Sequence, residues 1–281
     1  MTNRQHIPVL DKPSMVRASE TSLLLWGDET TGFVNDLFHA QSAQLVLVTI
    51  CMPPGQRFHH SATNKPVYTG NAGLYVLEGQ YTVQFPDTGE VRVAEQGEML
   101  LLRGPQWHFG YNFSDKELRV LETISPLALP GALDGLVCPT PEVGIDSRAI
   151  KDFPATRTAP KLEVMTRRTA LNIIVGQRHH TLLKVLASTD KLTVAVFDLM
   201  GGQRTDPFKF SRDATLYLEK GRLNVRIQAD GIWEELHPGD AYFFPAGTSW
   251  EVFNHGADAA SSHMAIAGNF AASTVAQEPK V

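Results

Sequence analysis

Cysteine is almost missing from this chain of 281 residues, which has only Cys51 and Cys138. Two thiols cannot build a four-sulfur zinc knuckle or a disulfide framework, and so few of them fit a reducing compartment. Each reads as a small buried apolar residue rather than a nucleophile. Long apolar runs are missing too. The strongest, Leu45 to Cys51 and interrupted by Thr49, has strand length, far short of the roughly 18 residues of a membrane span. The opening MTNRQHIPVLDKP lacks the apolar segment of a secretory leader. A soluble, cytoplasmic protein without a membrane partner is therefore expected. Positive charge is not in excess: 25 Lys and Arg stand against 30 Asp and Glu, a formal charge of −5 without long runs of one sign. Nucleic acid binding needs a basic patch, so it is not an expected partner.

What remains is an ordinary globular composition, 43% hydrophobic and 20% charged, long enough for two domains at roughly 150 residues each. The chain also repeats itself. GLYVLEGQYTVQ (73–84) and TLYLEKGRLNVR (215–226) align at an offset of 142 residues, pairing Leu74 with Leu216, Tyr75 with Tyr217, Gly79 with Gly221 and Val83 with Val225. The same offset pairs Gly97 with Gly239 and Asn112 with Asn254, while Gly55-Gln56-Arg57 recurs as Gly202-Gln203-Arg204 at an offset of 147. The first copy thus carries five extra residues between Arg57 and Leu74. Repeats at a fixed offset indicate a duplicated unit. Each copy is a series of short apolar or alternating runs broken by Gly, Pro, Asp or Gln, with little helical periodicity. That pattern predicts antiparallel sandwiches or barrels. The Pro- and Gly-rich stretch from Pro126 to about Pro160 reads as a crossing between domains, and the tail after Gly268 as loosely ordered. The expected division is 1–135 and 136–281.

The spacing within each copy resembles the cupin superfamily, and in particular its two-barrel members, the bicupins. Gly97-EMLLL-Arg103-Gly104-Pro105-Gln106-Trp107-His108-FGY-Asn112 fits the second cupin motif, with His108 in the histidine place and Asn112 in the asparagine place. Gly239-DAYFF-Pro245-Ala246-Gly247-Thr248-Ser249-Trp250-EVF-Asn254 fits again, but with Trp250 for the histidine. The resemblance spans roughly residues 20 to 268 and implies an all-β fold of two tandem jelly-roll barrels. The first cupin motif is weaker. It would supply His-x-His and then a Glu seven residues before Gly79, yet Ala72 holds that place and the histidines, His59 and His60, are adjacent. Neighbouring residues on a regular strand face opposite ways, so only one of the two would enter the barrel unless a bulge re-aims the other. In the second copy the histidine places fall on Phe208 and Phe210, and the Glu place on Ala214. His179-His180 echoes the first pair and reads as a surface loop.

By this resemblance His59, His60 and His108 are the expected metal ligands, in a first barrel that carries the chemistry. Fe(II) is the leading metal, with Ni, Mn or Zn as alternatives. His108 and Tyr68, the latter in an inserted KPVYTGN segment with Asn71, are the expected catalytic residues. The implied activity is a metal-dependent dioxygenase acting on a small aromatic or enolisable substrate, with Leu100, Leu102, Trp107 and Phe109 as an apolar wall. Two alternatives stay open: a non-redox isomerase, lyase or decarboxylase with a histidine as acid or base, and a non-catalytic ligand-binding bicupin. A homodimer is compatible with each.

Overall fold

The computed structural model describes residues 7, 9–28, 32–59, 70–85, 89–104, 108–126 and 162–275. His60, Tyr68, Trp107 and Cys138 lie outside these residues. Four antiparallel sheets account for almost all of the described chain, in two similar pairs. The first pair joins a seven-stranded sheet, in the order Leu162–Thr166, Glu98–Arg103, Asn71–Glu78, Leu118–Ser125, Val46–Met52, Gly32–Gln41, Ser22–Asp28, to a four-stranded one, Arg57–Phe58, Phe109–Tyr111, Gln80–Phe85, Glu90–Glu95. The second pair repeats the plan with Ser14–Val16, Ala241–Phe244, Ala214–Lys220, Ala260–Ile266, Thr193–Leu199, Thr181–Ser188 and Leu171–Val175 against Phe208–Lys209, Ser249–Phe253, Leu223–Ile227 and Trp233–Leu236. These are the two tandem jelly-roll barrels expected from the repeat.

The repeated residues are those that fix the path of the backbone. Gly79 and Gly221 turn the chain at φ 81° and 82°, a left-handed conformation that a side chain would strain. Each also lies against the backbone of another strand. A Cβ on Gly79 would meet Glu117 O at 2.9 Å, and one on Gly221 would meet Ala259 O at 2.9 Å and Ala260 Cα at 2.8 Å. The asparagines are clamps: Asn112 Nδ2 donates to Met52 O (3.0 Å) and Lys116 O (2.7 Å), and Asn254 Nδ2 donates to Leu199 O and Asp258 O, both at 2.8 Å. Their backbones hold the loop glycines, with Gly55 N on Asn112 O at 2.9 Å and Gly202 N on Asn254 O at 2.8 Å. The motif asparagine is therefore architectural, since a buried amide group must have partners.

Two details differ from the sequence expectation. The compact units do not divide at 135: residues 6–21 and 39–47 group with 167–281, and 162–166 groups with the first barrel. Ser14–Val16 adds an edge strand beside Ala241–Phe244, held by Arg17 Nη1 on Asp240 Oδ2 (2.8 Å) and by Ala18 N on Asp240 Oδ1 (2.9 Å). A strand of three residues is too short to announce itself by periodicity. Where it is described, over residues 269–275, the tail after Gly268 is not loose. It forms a short helix, Phe270–Ser273, capped by Asn269, whose side chain accepts from Ala272 N at 3.2 Å. No helix among the described residues is long and apolar enough to cross a membrane.

Candidate functional site in the first barrel

Side chains alternate across a strand, and the second barrel shows which face is interior. Its core includes Leu183, Ala214, Leu216, Tyr242, Phe244, Trp250, Val252 and Met264. Trp250 is fully buried and stacks on Phe244 at 4.1 Å between centroids, with Phe208 at 4.9 Å. It occupies the motif histidine's place, and the interior around it is aromatic and aliphatic.

The equivalent face of the first barrel is different. His108 takes the place of Trp250 and is 4% exposed. Burial pushes its imidazole down to about 4, so it is neutral at physiological pH. Phe58 is a neighbour, its ring centroid 6.3 Å away. Ala72 is buried and registers with Leu102 and Ile124, so the Glu place of the first motif is apolar.

Two interior carboxyls were not legible in the motifs. Glu122 registers with Leu74 as Met264 registers with Leu216, so it projects inward where the second barrel has methionine. Asp36 corresponds to Leu183 at the 147-residue offset; the equivalent turns, Ser42 N to Leu45 O at 2.8 Å and Thr189 N to Leu192 O at 2.9 Å, keep that offset. Asp36 Oδ1 is sealed from solvent without a hydrogen-bond partner among the described residues, although the residue as a whole is only half-buried. Burial pushes the Asp36 carboxyl up to about 7. Burial, and then the charge of Asp36, pushes Glu122 up to about 8. Like charges in a low dielectric cannot both ionise at small cost, so this pair holds a proton near neutral pH. Burial and both carboxylates also raise the pKa of Tyr81. Its hydroxyl reaches the strand next to His108, where a Cβ on Gly110 would lie 2.4 Å from it. Tyr81 and Gly110 replace Leu223 and Val252 of the second barrel, a large residue facing a small one. A comparison of inward positions between the two copies, rather than of motifs, would have found all four residues.

His59 does not join this face. Phe109 registers with Gln84 and Gly110 with Val83, and Tyr111 Oη donates to Gln84 Oε1 at 2.8 Å. Residues 109 and 111 thus share the face opposite to 108 and 110. His59 packs against Phe109 at 4.5 Å and Tyr111 at 5.1 Å between centroids, so it lies with them, away from His108. The strand Arg57–Phe58 is regular as far as it goes, with Phe58 opposite Gly110 and no bulge in this register. The expectation that His59 and His108 share a metal is corrected accordingly, and Phe109 leaves the expected wall for the same reason. His60 and Tyr68 lie outside the described residues. Asn71 opens the strand Asn71–Glu78 and accepts from Gly104 N at 3.2 Å, a structural role. No group of three His, Cys, Asp or Glu among the described residues is placed to hold a metal ion. The inward face described for the first barrel offers one imidazole, His108, and does not by itself fit the metal that the cupin resemblance implies.

No protein-family model and no curated relative matches this chain. Solved structures do. An oxalate decarboxylase of Lactobacillus farciminis superposes with TM-score 0.66 at 12% identity, covering 96% of this chain and 90% of its own. One from Bacillus subtilis gives TM-score 0.65 at 12% identity, covering 94% and 79%. AerE from Microcystis aeruginosa gives 0.57 at 9%, covering 88% and 97%. At these identities the likeness shows the fold alone, two tandem jelly-roll barrels, and leaves the chemistry to the residues of the site.

Proposed function

We propose that this bicupin is an enzyme whose first barrel transforms a small enolisable or carboxylic substrate by proton transfer, in the class of isomerases, lyases or decarboxylases. The observation that carries the proposal is the substitution of one interior face. His108, Asp36 and Glu122 stand where the second barrel has Trp250, Leu183 and Met264. Burying such groups costs free energy that leucine, methionine and tryptophan avoid. Their environments also push them apart: His108 is held in its base form, and Glu122 in its acid form, at neutral pH. Separated protonation of this kind marks an acid–base pair. His108 accepts a proton from carbon or oxygen of the substrate, the protonated carboxyl supplies one, and Tyr81 donates a hydrogen bond along the same wall.

The iron-dependent dioxygenase is the second reading. It needs His60 to join His108, and Tyr68 beside them. The Bacillus subtilis oxalate decarboxylase has Mn(II) centres. Solvent deuterium exchange into enolisable acids, followed by NMR, tests the first reading. The wild-type chain should catalyse exchange, and His108→Ala should lose it by about 100-fold or more while keeping its melting temperature. Equal exchange by both would refute the proposal. Stoichiometric iron on elemental analysis, with O2 uptake on the same substrates, would establish the second reading instead.

A further inference from the structure

The second barrel lacks chemistry inside, but its outer face is not featureless. Arg226 and Glu251 are opposite one another on adjacent strands, pointing away from Val225, Val252 and Trp250 in the core. Glu251 is 2% exposed. Its Oε2 meets Arg204 Nη2 at 2.6 Å, and its Oε1 meets Arg226 Nη2 at 2.7 Å and accepts from Gln228 Nε2 at 2.8 Å. One carboxylate is thus shared by two guanidiniums, leaving a positive charge in excess. Both guanidiniums spend only one nitrogen on it and keep 39% and 30% of their side-chain surface exposed. The Trp233 ring lies against both, 5.2 Å from Arg226 Cζ and 6.0 Å from Arg204 Cζ.

Arg204, Arg226, Gln228 and Glu251, with Trp233 behind the two guanidiniums, belong to the wall of a groove of about 790 Å3 that Trp233 itself does not line, a size typical of small-molecule sites. Lys209 and Arg178 add two further cations to its wall. Asp206, the other acid among the lining residues, is already occupied by the backbone N–H groups of Gln177, Arg178 and His179, at 2.5, 2.9 and 3.1 Å. That fixes the loop as one side of the groove. The helix Phe270–Ser273 and the residues after it, tied down by Val275 N on Lys209 O at 2.9 Å, also line the groove with Phe270 and Val275, half-buried, and Val175 lines it from the strand Leu171–Val175. Cations with spare donors beside half-exposed apolar side chains suit a ligand with a carboxylate at one end and a flat apolar body at the other. We infer that the second barrel binds an arylcarboxylate in this groove, its carboxylate on Arg204 and Arg226 and its ring against Val175 and Phe270. This site is independent of the chemistry proposed for the first barrel, and its failure would leave that reading untouched.

Benzoate titrated into the full chain, read by the Trp233 indole resonance, tests the assignment. Saturable shifts are expected, with affinity falling as salt rises. Arg204→Gln and Arg226→Gln should each weaken binding at least tenfold, and Arg226→Lys less. Lys209→Gln, which removes a cation outside the Glu251 cluster, should weaken it several-fold even if the arginine variants fail to fold. Absence of a saturable response at millimolar benzoate overturns the inference, as does undiminished affinity in Lys209→Gln and in the folded arginine variants. Inorganic phosphate binding as tightly as benzoate overturns the aromatic half of it.

Discussion

Replacing Glu122 by Gln should make the first barrel more stable at high pH and change little at low pH. The carboxyl titrates at 4.5 when exposed and at about 8 in the folded chain. Below pH 4.5 folded and unfolded chains both hold the proton, and ionisation costs nothing. Between these values the unfolded chain releases its proton while the folded chain keeps it, so stability falls as pH rises. Above about 8 the folded carboxyl ionises too and the full penalty stands. A displacement of about 3.5 units at 1.36 kcal/mol each gives ~5 kcal/mol as an upper figure. Relaxation and water entry reduce it, so about 2–4 kcal/mol is the expected gain for the variant. Glutamine keeps the shape without ionising. Scanning calorimetry at pH 5 and pH 9 should show the first-barrel transition of Glu122→Gln near the wild type at the lower pH and on the order of 10 °C above it at the higher. Glu122→Met, which copies the second barrel, should be the more stable at both. Parallel pH profiles for wild type and Glu122→Gln would refute the idea that this carboxyl is held protonated inside the barrel.

Other outcomes follow from the same contacts. Gly110→Ala should destabilise the first barrel by about 1–3 kcal/mol, because its methyl group would sit 2.4 Å from the Tyr81 hydroxyl. Combining Gly110→Val with Tyr81→Leu restores the Val252 and Leu223 pairing, so a double-mutant cycle in denaturant should show positive coupling of about 1 kcal/mol or more. Trp250→His should cost the second barrel about 3–5 kcal/mol in urea melts through lost stacking, and it should bind no metal by elemental analysis. Arg17→Ala should lower the second-barrel transition by about 1–3 kcal/mol, since Asp240 would lose a charged partner. His59→Ala should leave the deuterium-exchange rate of the wild type unchanged, because its ring packs on Phe109 and Tyr111, on the face away from His108. A rate falling with that of His108→Ala would place the two histidines in one site after all.

The fold was legible because what repeats along the chain is backbone geometry. A left-handed glycine between two strands and an asparagine bridging two carbonyls have few substitutes. Gly79, Gly221, Asn112 and Asn254 therefore survive in both copies while their surroundings diverge. The edge strand Ser14–Val16 was not legible, since its place is set by partners more than 200 residues away, Asp240 among them, and not by any local pattern. His59 misled for a related reason. Its adjacency to His60 in the sequence does not say whether it points inward; that depends on the register of Phe58 with Gly110, a long-range fact.

The carboxyl pair was hidden by the motifs. Asp36 and Glu122 sit on strands that carry none of the cupin signature, each amid residues that read as ordinary sheet. Only their counterparts expose them, because the second barrel acts as an internal control evolved on the same backbone plan. Where that control places Leu183 and Met264, burial is favourable and nothing titrates. Where the first barrel places Asp36 and Glu122, the same positions cost several kcal/mol and hold a proton. Packing alone gives no reason to keep two acids there when a leucine and a methionine fit the same plan at lower cost. A site that spends stability in this way is the expected signature of chemistry, and it supports the proposed assignment of that chemistry to the first barrel on grounds that do not depend on any metal.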